Sequence, residues 1–296
     1  MPELPEVESL VRDLGPGVIG RTIERVEVHK PKLLSAARGL TLEDLCGRRF
    51  ERVWRRGKLA VWELSGDLSL VVHLKLAGQM VHVAADGHEL AHGGHPVPMW
   101  GTPLPHKSSH VVFHFDDAST LYLTDIRQFA RLTLLPDREV AGFLKKQKLG
   151  PEPLTRRFNA EEFFRRLQRR GIPLKTAIMD QSVVGGIGNI YADESLWRAR
   201  LHGGRATETL TGRRAHTLLG HVRDVLTEAL GQGGTSFDSL YVDVNGESGY
   251  FDRSLAVYGR EGEPCPRCGT PIRREPFMNR SSYSCPRCQP RPRAVR

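Results

Sequence analysis

The 296-residue chain has no apolar run near the ~18 residues that a membrane helix needs, which excludes a helical membrane protein. Its first residues, MPELPEVESLV, lack the basic segment and apolar core of a signal peptide, so an intracellular protein is expected. Cysteine is scarce. The five residues present point to metal binding rather than disulfides in a reducing compartment. No stretch repeats another, which excludes a repeat architecture. Acids are outnumbered 34 to 43 by Lys and Arg, for a net charge of +9, so a polyanion is the expected partner and nucleic acid the first candidate. The apolar content of 39% suffices for packed cores, and the length suits two or three domains.

Leu4, Val7, Leu10, Val11 and Leu14 share one helical face, so residues 5–14 are expected to form a helix stopped by Gly15-Pro16-Gly17. From about 20 to 135 the period is two. Strands are expected at 22–28, 50–55, 60–64, 68–74, 110–115 and 120–123, suggesting a β-sandwich. Residues 86–105, rich in Gly, Pro and His, read as a long mobile loop. The expected organisation is α+β and multidomain: a sandwich domain over 1–135, a linker over 136–158, a helical domain over 159–240 and a cysteine-bearing segment over 241–296. Asn159 and Glu162 are placed to cap a helix closed by Gly171, and Leu218, Leu219, Val222, Val225, Leu226 and Ala229 mark another. Between them GGIGN (185–189) is a glycine turn entering a helix, a candidate phosphate grip.

Cys265-x2-Cys268 and Cys285-x2-Cys288 lie sixteen residues apart, the spacing of a closed, structural Zn2+ site joined by a hairpin. Such a module needs its metal to fold. The leftover Cys46 is expected to be a core thiol.

MPELPEVE (1–8), RRGK (55–58), HL (73–74), DIRQF (125–129), LGPEPL (149–154), GIGNIYADESL (186–196), GYF (249–251) and VYGREGEPC (257–265), with the paired CxxC motifs, resemble the formamidopyrimidine-DNA glycosylase family. The resemblance runs the length of the chain in the right order. It implies an N-terminal β-sandwich with flanking helices, a helix–two-turn–helix domain and a C-terminal zinc β-hairpin, with damaged double-stranded DNA in the cleft between domains. It further implies a monomeric enzyme of base excision repair, at the nucleoid of a bacterial cell. By motif position Pro2 is the nucleophile once Met1 is removed, and Glu3 the general acid/base, with Glu6 in support. Lys58 joins them at the catalytic centre. It grips phosphate with His73, Asn189 and Arg280, while Leu76, Arg127 and Phe129 fill the gap left by an extruded base. Three features depart from the family: Leu76 stands where Met is common, Lys75 before it stands where a smaller or different residue is common, and the His- and Pro-rich 86–105 segment is long.

An oxidised base must leave the duplex to be reached, and an α-amine titrating near ~7.7–8.0 is a usable nucleophile at neutral pH. Taken singly, Pro2 is a common neighbour of a start methionine, Lys58 a strand-end charge, His73 a core histidine and Phe129 a packing residue. Their joint presence in a basic chain with a zinc motif favours a bifunctional glycosylase/lyase for oxidised purines. The competing readings are an oxidised-pyrimidine enzyme of the endonuclease VIII type and a non-catalytic zinc protein that binds damaged DNA. PELPEVE and the 233–250 stretch, which resembles the family's lesion-covering loop, favour purines.

Overall fold

A computed structural model describes residues 1–95, 98–234 and 255–292. The chain divides into two compact units, Met1–Gln147 with residues 232–234, and Lys148–Gly231 with residues 255–292.

The first unit begins with α1 (Leu4–Val18) and continues through β1 (Ile23–Val28), β2 (Leu34–Ala36), β3 (Phe50–Arg56), β4 (Leu59–Leu64) and β5 (Leu68–His73). Then come β6 (Gly78–Val83), β7 (Glu89–Gly94), β8 (Ser109–Phe115), β9 (Thr120–Asp125), β10 (Arg131–Pro136) and α2 (Asp137–Lys146). Two five-stranded sheets, ordered β1-β8-β9-β6-β7 and β2-β10-β5-β4-β3, enclose the core. All pairings are antiparallel except β2 with β10. Phe50 packs edge-on to Trp62 at 5.2 Å and to Phe115 at 5.8 Å, joining the two inner faces. Helix α1 packs against β7 and β3, the last strand of each sheet, and so closes one open side of the sandwich. It runs past Gly15-Pro16-Gly17 to Val18, which is fully buried. A proline in the last turn costs one backbone bond, and burial of Val18 offsets that loss.

The segment expected to be a loop, 86–105, contains β7, the edge strand beneath α1. Gly93 is required there, because a Cβ would lie 2.8 Å from the Leu10 Cα. Within the stretch expected to be a linker, α2 packs on β10 and β5, and the Ser69 hydroxyl donates to Asp137 Oδ1 at 2.6 Å. Cys46 is exposed, correcting its reading as a core thiol.

The second unit contains α3 (Ala160–Gln168), α4 (Leu174–Met179), α5 (Asn189–Arg198), α6 (Gly212–Gly231) and the hairpin β11 (Arg273–Phe277) with β12 (Arg280–Ser284). Asn159 caps α3 as expected, its Oδ1 accepting from Glu162 N at 2.9 Å. The seven buried residues of α6 (among them Leu218, Val222 and Leu226) form its core face. Arg223 of α6 donates to the carbonyls of Pro153, Thr155 and Phe158, pinning the 150–158 segment to the helices. Among the described residues, no helix is long and apolar enough to cross a membrane.

Candidate functional site

Glu3 is the N-cap of α1. Its carboxylate accepts the Glu6 N–H, while the Glu6 carboxylate accepts the Glu3 N–H at 2.7 Å. This reciprocal box holds Pro2, itself buried, one residue before the positive end of the helix dipole. Glu3 is 1% exposed and Glu6 4%, so two acids flank Pro2 in a largely dry setting. Gly234 comes so close to Glu6 that a Cβ would stand 3.0 Å from its Oε1. The 233–250 stretch thus begins beside the N-terminal acids; from 235 on it lies outside the described residues, as does GYF at 249–251.

Lys58 is 6% exposed in the tight turn joining β3 to β4, where Gly57 takes a positive φ of 59°. His73 ends β5. Its Nδ1 accepts the Lys75 N–H at 2.9 Å, which leaves Nε2 to carry the proton. Burial, with the nearby charges of Lys75 and Lys58, holds His73 down to about 3, so it is a neutral donor at pH 7. Leu76 lies half-buried in the turn that follows.

The turn after β9 presents Arg127 and Phe129 outward, with Phe129 44% exposed and the Arg127 guanidinium 5.6 Å from its ring centroid. Sequence reasoning missed what holds this turn. Asp125 is fully buried, and its carboxylate accepts the backbone N–H groups of Arg127, Phe129 and Ala130 at 2.8–2.9 Å. Gln128 adopts a φ of 57° to close the loop. The D of DIRQF was the only available signal.

In the second unit Gly188 is the N-cap of α5 and Asn189 its first residue. The Gln181 side chain shapes the glycine turn, accepting from Gly186 N at 2.9 Å and donating to Ile187 O at 2.8 Å. Asn189 Nδ2 donates to Ser281 O at 2.9 Å, next to Arg280, which is exposed at the start of β12. The structure therefore ties Asn189 to the strand that carries Arg280, and sets Lys58 near His73.

The sulfurs of Cys265, Cys268, Cys285 and Cys288 all lie within 4.8 Å of one another. Three of the separations are 3.5, 3.5 and 3.9 Å. Thiolates ~2.3 Å from a shared Zn2+ at tetrahedral angles stand about 3.8 Å apart, so the donors fit one structural zinc. Outer support comes from Trp197 Nε1, 3.4 Å from Cys265 Sγ, and from Gln289, which accepts from Cys285 N and donates to Leu201 O.

Family models match along the chain: the formamidopyrimidine-DNA glycosylase N-terminal domain over residues 1–132, the H2TH domain of the same enzymes over 149–239, and a zinc finger found in FPG and IleRS over 262–291. The formamidopyrimidine-DNA glycosylase of Salinispora arenicola is 46% identical, covering 99% of this chain and 98% of its own length. That of Nocardia farcinica is 45% identical, covering 99% of each. Among solved structures, the MutM (FPG) protein of Thermus thermophilus is 36% identical with a TM-score of 0.81, covering 97% of this chain and 98% of its own. Lactococcus lactis Fpg in complex with DNA containing an abasic site has a TM-score of 0.83 at 29% identity, covering 98% of this chain and all of its own. The chain belongs to the formamidopyrimidine-DNA glycosylase family, the zinc-finger DNA glycosylases of base excision repair.

Proposed function

We propose that this enzyme excises oxidised purines, 8-oxoguanine and formamidopyrimidines, from damaged double-stranded DNA and then cuts the strand as an AP lyase. The observation that carries the reading is the buried Pro2 held by the Glu3–Glu6 box. With Met1 removed, the Pro2 nitrogen is a secondary amine. It attacks C1′ of the damaged nucleotide, the base leaves, and a cationic iminium links Pro2 to the opened sugar. That electron sink acidifies the 2′ protons, so β-elimination and then δ-elimination break the two flanking phosphate esters. Glu3, next in the chain, exchanges a proton with the opening sugar.

Lys58 and neutral His73 grip phosphate from the first unit, Asn189 and Arg280 from the second. Leu76, Arg127 and Phe129 enter the gap left by the extruded nucleotide, two by stacking and Arg127 by pairing with the orphaned base. The zinc holds the hairpin that carries Arg280 and takes no part in bond breaking. DNA-bound relatives support this reading: one Lactococcus lactis Fpg structure, of a mutant, is a complex with Fapy-dG containing DNA.

Incision of duplexes bearing 8-oxoguanine, a formamidopyrimidine or an oxidised pyrimidine tests the proposal. Faster release of the two purine lesions is expected. Preference for the pyrimidine would move the chain to the endonuclease VIII type of specificity, and binding with no incision of any duplex would make it a damage-binding protein.

A further inference from the structure

Helix α5 carries more than Asn189. Asn189, Asp193 and Trp197 recur at intervals of four and so line one face, and each meets the zinc module. Asn189 donates to Ser281 O; Asp193 accepts from the Ser282 hydroxyl at 3.0 Å and from Tyr283 N at 2.9 Å; Trp197 reaches Cys265 Sγ. Asp193 is also ion-paired to Lys175 of α4 at 2.7 Å, with the two side chains 2% and 0% exposed. The same Lys175 ammonium stands 4.4 Å above the ring of Phe277, the residue opposite Arg280 in the hairpin. One buried pair therefore holds both strands, β11 through Phe277 and β12 through Ser282 and Tyr283. Glu194 extends the grip, accepting the successive N–H groups of Ala256, Val257 and Tyr258 at 2.9 Å each.

A buried ion pair is a poor source of stability, since desolvation consumes most of the Coulomb attraction and apolar replacements of similar volume are often no less stable. What it supplies is direction. Apolar side chains could slide against the hairpin, but the Asp193 carboxylate is satisfied at one register of β12 only.

We infer that Lys175 and Asp193 are positioning residues that lock the zinc hairpin to α5 in the one register that sets Arg280 beside Asn189, so that zinc retention and phosphate binding are coupled through this pair. The phosphate-binding half rests on the function proposed above; the zinc half does not.

The test is the apolar swap Lys175→Met/Asp193→Leu in the full zinc-loaded enzyme, alone and combined with Arg280→Ala. Zinc transfer to a chromophoric chelator is expected to quicken at least tenfold. Affinity for a duplex carrying a tetrahydrofuran abasic analogue should weaken about tenfold and excision at saturating DNA change less than twofold. The affinity losses of the swap and of Arg280→Ala should be non-additive, because both remove the same contact. Zinc release at the wild-type rate, or additive affinity losses, would overturn the inference. If the swapped chain does not fold, Phe277→Leu, which keeps every zinc ligand, should show the same non-additivity in smaller measure, and full additivity there counts against the pair. If wild-type enzyme fails to bind or incise damaged DNA, the functional reading falls, and the zinc-release rates still decide the coupling.

Discussion

The buried carboxylate of Asp125 accepts the backbone N–H of Phe129 at 2.8 Å, and through it the exposed ring is held at the tip of a fixed loop rather than a floppy one. A wedge works only if its position is set before the base leaves the stack. Phe129→Ala and Leu76→Ala should slow excision from a lesion duplex about 10- to 100-fold, in line with a few kcal/mol of unstacking, and slow cleavage at a preformed abasic site much less. Asp125→Ala should reproduce the pattern, because it removes the acceptor of three backbone N–H groups, orphaning the buried one of Ala130 at ~1–3 kcal/mol, and frees the loop. Single-turnover rates on the two substrates make the comparison. Equal losses on both would remove these residues from the wedge.

How much of this was legible depended on the range of the determinants. The zinc ligands could be read because metal geometry constrains local spacing, and α3 because Asn159 caps it three residues away. Strand β6 has six buried residues and no alternation, since Met80 faces the sandwich core while Val81 and Val83 on the other face are covered by Trp100 and Leu104, so its period signal vanished. β7 hid in a glycine-rich stretch in which Gly93 lets α1 pass. α2 buries only Val140, too little pattern to mark a helix in a linker. Asp125, Lys175, Asp193 and Glu194 looked like ordinary charges. Asp193 and Glu194 on α5 meet partners 62 to 90 residues away, and Lys175 on α4 meets the ring of Phe277, contacts that only the fold brings about. Cys46 shows the converse error: a residue type that is usually buried stands exposed here.

Arg280 and His73 should separate in their salt dependence. With about four to six cations on phosphates, log K should fall against log[salt] with a slope of roughly −4 to −5. Arg280→Ala should weaken binding to every sequence and flatten that slope by about one. His73→Gln should weaken binding several-fold and leave the slope unchanged, because a neutral imidazole displaces no counterion. Fluorescence anisotropy titrations from 50 to 250 mM salt read both. A flattened slope for His73→Gln would mean that DNA binding protonates the ring.

His73 also marks a pH window for stability. Its folded pKa lies near 3 and its unfolded value near 6.5, so between them the unfolded chain binds the extra proton. Stability is fully present above about pH 6.5 and falls as the pH drops, by at most about 1.4 kcal/mol per pH unit from this group. Burial lowers His82, His110 and His202 in the same direction, so the contrast with His73→Gln isolates its share. Urea unfolding of both proteins between pH 4.5 and 7.5 should show the gap in stability closing in the variant's favour as the solution is acidified. Parallel curves would place the titration elsewhere.

Metal removal should act on one unit. Elemental analysis is expected to find about one zinc per chain. Chelation should abolish DNA binding, because Arg280 sits on a hairpin whose ends are closed by the four cysteines. Amide hydrogen exchange in β4, which carries Trp62, and in its neighbour β5 should not change, since that core contains no metal ligand. Loss of protection there would show that the first unit depends on the zinc module.

The nucleophile is the assignment with the sharpest chemistry. While Met1 is attached, the Pro2 nitrogen is an amide whose lone pair is delocalised, and it cannot attack C1′. Once Met1 is gone it is an α-amine, with an ordinary pKa near ~7.7–8.0, at the positive end of α1, which favours its neutral form, and beside two acids, which oppose that. Borohydride added during reaction with abasic-site DNA should trap a covalent complex through residue 2. A chain that keeps its methionine, or carries any N-terminal extension, should bind damaged DNA and cut none. Glu3→Gln should still bind and lose base excision by several orders of magnitude, although the amide keeps an oxygen for capping α1, because it cannot exchange a proton with the sugar. Lys58, 6% exposed, is the rival amine, and no activity assay alone distinguishes the two. Peptide mapping of the reduced adduct does. DNA attached at Pro2 establishes the mechanism; DNA attached at Lys58 overturns the nucleophile while the glycosylase reading stands.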